Sequence, residues 1–195
     1  IGCGKSTIAG WLRAWGGAVV DADALAREVT RPGQAAHDAV LQAFGEAVRS
    51  PDGSLDRAGL AAIVFRDPGA LVTLEGIVHP AVRPRILAAL AAAERGDAEF
   101  VALEAIKLIE SGYAPICDEV WLVTCDPARQ RERLVARGSA PEDAERRMAA
   151  QAGLAQRLAP AATRIIDASG SREATANLVA AALTSALARH RAATA

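Results

Sequence analysis

The sequence predicts an α/β fold in which a largely parallel sheet is covered by helices on both faces. Three observations predict it. Short apolar runs recur along the chain at Ala18-Val19-Val20, Phe100-Val101-Ala102-Leu103, Glu119–Thr124 and Arg164-Ile165-Ile166. Segments of helical periodicity separate them, and strands joined through helices need crossover connections, which favour parallel pairing. Finally, a glycine-rich Gly2-Cys3-Gly4-Lys5-Ser6-Thr7 stretch opens the first helical segment.

The elements follow in order. The first helix is expected from Lys5 to Trp15, with Ile8, Leu12 and Trp15 on one face, and Gly16-Gly17 end it. Ala18–Val20 form a short strand that delivers Asp21 and Asp23 at its C-terminal end. Helices are expected over Ala24–Val29 and Ala35–Phe44, then a turn at Ser50-Pro51-Asp52-Gly53. Asp56–Phe65 reads as helical, and Pro68 and Pro80 mark further helix starts, the last ending near Glu94-Arg95-Gly96. The second strand ends at Glu104 and the third at Thr124. Asp126 and Pro127 then serve as N-cap and first-turn proline of a helix to Arg137. Gly138-Ser139-Ala140-Pro141 breaks the chain before a charged helix through Gln151. A last strand at Arg164–Ile166 and a helix over Glu173–Arg189 complete the pattern, with Ala192–Ala195 expected to fray.

Composition bounds the function. The 195 residues suit one domain with room for a small appended subdomain, and 51% apolar with 23% charged residues describes a soluble globular chain. A net charge of −1 supplies no general field for polyanions, so neither nucleic acid nor membrane is an expected partner, and phosphate binding must come from locally placed groups. Cys3, Cys117 and Cys125 are odd in number and lack metal-ligand spacing. A disulfide framework or zinc site is therefore not expected, and a cytoplasmic location is. No leader or bilayer-length apolar run is present. The sequence starts at Ile1 inside a motif, so its N-terminus reads as truncated, with the first strand missing. Oligomeric state is not legible.

The Ile1–Thr7 stretch matches the second half of a P-loop. Gly2 and Gly4 permit backbone torsions and close approaches that side chains block, letting successive amides, that of Cys3 included, turn inward as an anion nest at a helix start. Lys5 reaches the β- and γ-phosphates of ATP, and Ser6 offers its hydroxyl to Mg2+. This sharpens the fold class to a P-loop NTPase-type three-layer sandwich. Asp21 and Asp23 follow a strand whose carboxyl end lines the ligand crevice of such sheets. One carboxylate can take the proton of an attacking hydroxyl while the other holds magnesium-bound water or orients the acceptor. A lone aspartate there would more simply cap the next helix; the pair favours catalysis. Glu104 is either an acid turned toward the metal or a solvated strand end. Arg129, Arg131, Arg133, Arg137, Arg146, Arg147 and Arg157 flank the Gly138–Pro141 break like a lid over ATP. Interspersed Glu132, Glu142, Asp143 and Glu145 make most of them surface ion-pair residues. Arg133 and Arg137 are the chosen phosphate contacts, with Arg147 a weaker third.

With those motifs in place, the chain resembles the dephospho-coenzyme A kinase family from Ile1 to about Gly170. The resemblance rests on Ile1–Thr7, Asp21-Ala22-Asp23 with Ala26-Arg27, Phe44-Gly45, Gly53–Arg57, Val64-Phe65, Leu74-Glu75 and His79-Pro80, and continues through Gln130, Arg133, Arg137, Arg147 and Gln151. It implies ATP-dependent phosphorylation of the ribose 3′-hydroxyl of dephospho-coenzyme A. It also implies three regions: a nucleotide core (1–23, 97–137 and 160–190), a helical acceptor region (24–96) and a lid (138–159). On the same basis Asp23 is the candidate general base, and Arg27, His79 and Arg83 are the candidates for the acceptor side; from the residue readings above, Lys5 joins Asp23 in catalysis and Ser6 with Asp21 serves the metal. His79 has the competing reading of a plain helix-start residue, and Arg83 of a surface charge. The chain departs from the family at Ile106–Glu110, where Pro-Leu-Leu-Phe-Glu is common, and at Ala162-Thr163 and Asp167. Cys3 stands where serine is frequent; an oxidation-sensitive thiol near a helix N-terminus is one reading of it, and a small loop filler the preferred one. Another small-molecule P-loop kinase, or a nucleotide-binding module without transfer, are the alternatives.

Overall fold

Every apolar run read as a strand forms one in the computed structural model, which describes residues 1–194. The pairing is parallel, as crossover connections require, but it is divided into two two-stranded sheets. Each belongs to one of two compact units: Gly16–Ile106, and Ile1–Trp15 together with Lys107–Ala195.

In the Gly16–Ile106 unit, β1 (Ala18–Asp21) pairs with β2 (Val101–Glu104), and Asp21 registers with Glu104. Four helices form the crossover: α2 (Ala22–Val29), α3 (Ala35–Phe44), α4 (Arg57–Arg66) and α5 (Pro68–Glu94). Their starts are written in the sequence. Asp56 accepts the amides of Ala58 and Gly59, and Asp67 accepts that of Gly69 with Pro68 in the first turn. Val40, Leu41, Val48, Leu55 and Leu60 make the core here, with Phe44, Val64, Leu74 and Ile77 against them. Val40 and Val48 are almost wholly buried, each worth about 1.5–2 kcal/mol of apolar transfer. The Ser50–Gly53 turn closes through a 2.9 Å bond from the Gly53 amide to the Ser50 carbonyl. The ring of buried His37 spans Asp38 and the Gly53 carbonyl, fastening α3 to that turn.

Pro80 does not begin a helix. It lies inside α5, as does Pro84. An interior proline forfeits a backbone bond and costs about 3 kcal/mol. Here Val82 and Ile86, both buried, anchor the proline-bearing stretch, so packing overrides the local penalty.

The other unit contains α1 (Lys5–Ala14), β3 (Trp121–Thr124), α6 (Pro127–Ala136), α7 (Pro141–Ala149), α8 (Leu154–Leu158), β4 (Arg164–Asp167) and α9 (Arg172–Thr194). β3 and β4 pair in parallel, Trp121 opposite Arg164. α1 buries Ile8, Ala9 and Leu12, whereas Trp15, expected on that face, is its C-cap. Trp15 turns out to solvent and stacks on Trp11 at 6.4 Å. Asp126 occupies the N-cap position of α6 without making the expected side-chain bond; its amide donates to Ser169 Oγ at 2.8 Å. α9 runs past Arg189 and keeps Ala192–Thr194 helical rather than frayed; Ala195 lies outside the described residues. Its inner face buries Thr175, Val179 and Ala182. Among the described residues, no helix is long and apolar enough to cross a membrane.

Glu119, just before β3, ties this unit together. Its carboxylate accepts from Trp121 Nε1 at 2.6 Å and from Arg164 Nε at 3.4 Å, and pairs with Arg189 of α9. Burial works against its charge, but the Arg189, Trp121 and Arg164 donors outweigh it and hold the carboxyl below the ordinary range.

Candidate functional site

The glycine loop is shaped by α6. Gly2 takes φ 75° and Gly4, the N-cap of α1, φ 90°, values at which a side chain is strained. At Gly2 the space is also tight. A Cβ there would lie 3.1 Å from both Cγ and O of Gln130 and 3.2 Å from Cγ of Leu134. Gln130 Nε2 donates to the Ile1 carbonyl at 2.6 Å, so α6 holds the loop by contact and by hydrogen bond. Gly4 brings no side-chain oxygen to the first turn of α1, the arrangement by which a helix start serves a bound anion. Lys5 and Thr7 are half-buried in that turn and Ser6 is exposed.

Arg133, one turn after Gln130 on α6, reaches the same place. Its Nη2 donates to the Ala168 carbonyl at 2.8 Å, and its Nη1 is buried without a hydrogen-bond partner. That nitrogen lies 3.9 Å from where a Gly4 side chain would begin. A buried guanidinium donor left unmet is costly, and its position beside an anion-type helix start fits a phosphate oxygen. Arg137 stands at the C-cap of α6 and is exposed.

The other arginines of the two charged helices are engaged in surface pairs. Arg131 joins α6 to α7 through Glu145 at 3.1 Å, Arg129 meets Glu132 at 2.9 Å, and Arg146 and Arg147 both face Asp143, at 3.1 and 3.9 Å. Exposed pairs of this kind contribute about 0–1 kcal/mol each.

The cysteine reading needs correction. Cys3 is not a loop filler: it is disulfide-bonded to Cys125, just beyond β3, with Cα atoms 5.2 Å apart. The seating of the loop on Gln130 and Leu134 brings together residues separated by 122 positions, a proximity that no cysteine spacing encodes. Cys117 stays a free thiol, raised above its ordinary pKa by burial and by the charge of Asp118.

On the Gly16–Ile106 unit, Asp21 caps α2. Its Oδ1 accepts the Ala24 amide at 2.9 Å, and Oδ2 stands 4.0 Å from Arg27 Nη2. Asp23 follows in the first turn, half-buried, and helical spacing sets Arg27 on its face of α2. Arg57 Nη2 donates to the Arg27 carbonyl and to Thr30 Oγ1, at 3.3 and 3.0 Å. Burial and the charge of Arg27 draw the Arg57 pKa below its ordinary value. Glu104 is 9% exposed, which removes the solvated strand-end reading. His79 lies well inside α5, so it is no helix-start residue; half-buried, it shares a face with exposed Arg83 one turn on.

Sequence reasoning named Asp167 as a departure from the family and missed the turn it closes with Ser169. Asp167 accepts the amide and hydroxyl of Ser169 at 2.9 and 2.6 Å, which holds its pKa below the ordinary range. This Asx-type turn positions the Ala168 carbonyl that Arg133 engages, and an Asp-x-Ser triplet after a strand was its available signal.

Metal chemistry is compatible with the donor set. The described residues contain no group of three or more His, Cys, Asp or Glu able to hold a metal. Magnesium bound largely by substrate phosphates needs only one or two hard oxygens from protein. Each compact unit carries an oxygen of that type, the Ser6 hydroxyl in one and the Asp21 carboxylate in the other.

The dephospho-CoA kinase family model matches residues 1–173. A dephospho-CoA kinase of Symbiobacterium thermophilum is 45% identical over 93% of this chain and 76% of its own length. That of Geobacter sulfurreducens is 40% identical over 89% of this chain and 88% of its own. A crystal structure from Thermus thermophilus superposes with TM-score 0.77 at 35% identity, covering 95% of this chain and 93% of that one.

Proposed function

This chain belongs to the dephospho-CoA kinase family, and on that premise we propose how its residues divide the work. It is a kinase that transfers the γ-phosphoryl group of ATP to the ribose 3′-hydroxyl of dephospho-CoA, giving CoA and ADP. The observation that carries the site assignment is the unmet Nη1 of Arg133 beside Gly4.

ATP binds with its phosphates over the start of α1. Amides from Gly2 to Thr7 cradle the oxygens, Lys5 neutralises the β- and γ-phosphates, and Arg133 fills its open donor with a phosphate oxygen. Arg137 adds a second guanidinium as the nucleotide is covered. The Ser6 hydroxyl and the Asp21 carboxylate would hold Mg2+, which would supply charge neutralisation to the phosphates. Asp23 accepts the proton of the ribose hydroxyl as that oxygen attacks phosphorus, while Arg27, His79 and Arg83 orient the acceptor. The nucleotide core takes in 1–23, 97–137 and 160–190, the acceptor region 24–96 and the lid 138–159. The ligands are small molecules, with neither nucleic acid nor membrane among the partners, and the enzyme works in the cytoplasm.

The test is ADP release coupled to a spectroscopic readout, with dephospho-CoA offered beside adenosine and AMP. Dephospho-CoA should be the preferred acceptor; equal or better turnover of AMP would favour a nucleoside monophosphate kinase. Asp23→Asn should bind ATP like the parent while kcat falls about 100-fold or more. Unchanged turnover in that variant removes Asp23 as base.

A further inference from the structure

We propose that Cys3 and Cys125 form a reversible thiol–disulfide site that stiffens the phosphate loop, so that ATP affinity follows the redox state of the pair. The inference rests on the reading of the α1 loop as the ATP site and adds its regulation. Three observations carry it. The bond joins a residue inside the loop, flanked by Gly2 and Gly4, to the residue just beyond β3. Both sulfur-bearing residues are only half-buried, leaving small thiols a path to them. And the bonded loop already has its phosphate-ready features: positive φ at Gly2 and Gly4, Gln130 on the Ile1 carbonyl, and Arg133 Nη1 beside Gly4.

The chemistry is thiol–disulfide exchange. Cys3 as thiolate attacks one sulfur of a low-molecular-weight disulfide. A mixed disulfide forms and one small thiol leaves. Cys125 as thiolate then attacks the Cys3 sulfur; the protein bond forms, the mixed bond breaks, and a second small thiol leaves. Two electrons and two protons pass from the pair to the small disulfide, and a dithiol reductant reverses each step. In a reducing compartment such bonds are made and broken rather than permanent.

The bonded loop enters binding with its backbone already constrained, whereas the reduced loop must be ordered by the nucleotide. Ordering a short backbone stretch during binding weakens affinity by roughly five- to ten-fold. The experiment poises the protein with oxidised or reduced glutathione, counts free thiols under denaturing conditions, maps the linked peptides, and titrates ATP calorimetrically. One thiol, Cys117, is expected after oxidation and three after reduction, with the ATP Kd five- to ten-fold weaker in the reduced form and its melting temperature lower. Cys125→Ser should match the reduced parent and ignore the poise; Cys117→Ser should respond like the parent. Three thiols after oxidation, or a bond that forms without altering Kd, overturns the proposal. Loss of ATP binding in both forms would instead retire the kinase site reading, and thiol count with melting shift would still decide whether the bond forms and stiffens the fold.

Discussion

Gly2 and Gly10 illustrate how the same small change reads differently at two positions of the chain. At Gly2 a methyl group meets positive φ and three atoms at 3.1–3.2 Å, one of them backbone. Gly10 is inside α1, and a Cβ there meets nothing within 4 Å. Gly2→Ala should therefore destabilise by about 2–3 kcal/mol and weaken ATP binding, and Gly10→Ala should stabilise by about 0.5–1 kcal/mol. Urea unfolding of both variants checks the opposed signs. Arg133 is similarly specific. Its fork meets the Ala168 carbonyl with one nitrogen and leaves the other beside Gly4, a division a single ammonium cannot reproduce. Arg133→Lys should raise the KM for ATP about ten-fold with a smaller change in kcat; steady-state kinetics separates the two. At this scale the sequence was most legible for Gly2 and Gly4, whose positive φ is the backbone conformation the loop motif demands. It was least legible for Asp21, whose bond to the Ala24 amide is the ordinary capping role.

Helix boundaries were readable where a polar cap or a first-turn proline opened an apolar run, as at Asp56 and Pro68. They failed at Pro80, where buried Val82 and Ile86 keep α5 continuous; the decisive contacts are distant in sequence. Among the contacts that couple elements, Glu119 has a clear pH signature. Its pKa in the folded protein lies below the ordinary value of 4.5, so its stabilisation is complete above that value. It is lost as pH falls through the depressed one. Glu119→Gln should be less stable by about 2 kcal/mol at neutral pH, and the gap should narrow under acid conditions. Chemical unfolding at the two pH values measures it, and a constant gap would exclude charge as the cause. In the Gly16–Ile106 unit, Val40→Ala should cost about 2 kcal/mol, since Val40 has no solvent exposure.

One compact unit draws on two separated stretches of chain, Ile1–Trp15 and Lys107–Ala195, with the other unit inserted between them. Alternating strand and helix patterns announced parallel pairing, but periodicity is blind to such grouping, just as it is blind to which cysteines meet. Cys3 and Cys125 lie in the two stretches, so their bond fastens the unit to itself. In the chain-entropy picture, a link across 122 positions stabilises by up to about 5 kcal/mol. The same link makes most of the polypeptide a covalent ring. A protease that nicks the Ser50–Gly53 turn would sever the backbone without parting the molecule, and both pieces would migrate as one band until a reducing agent entered the gel.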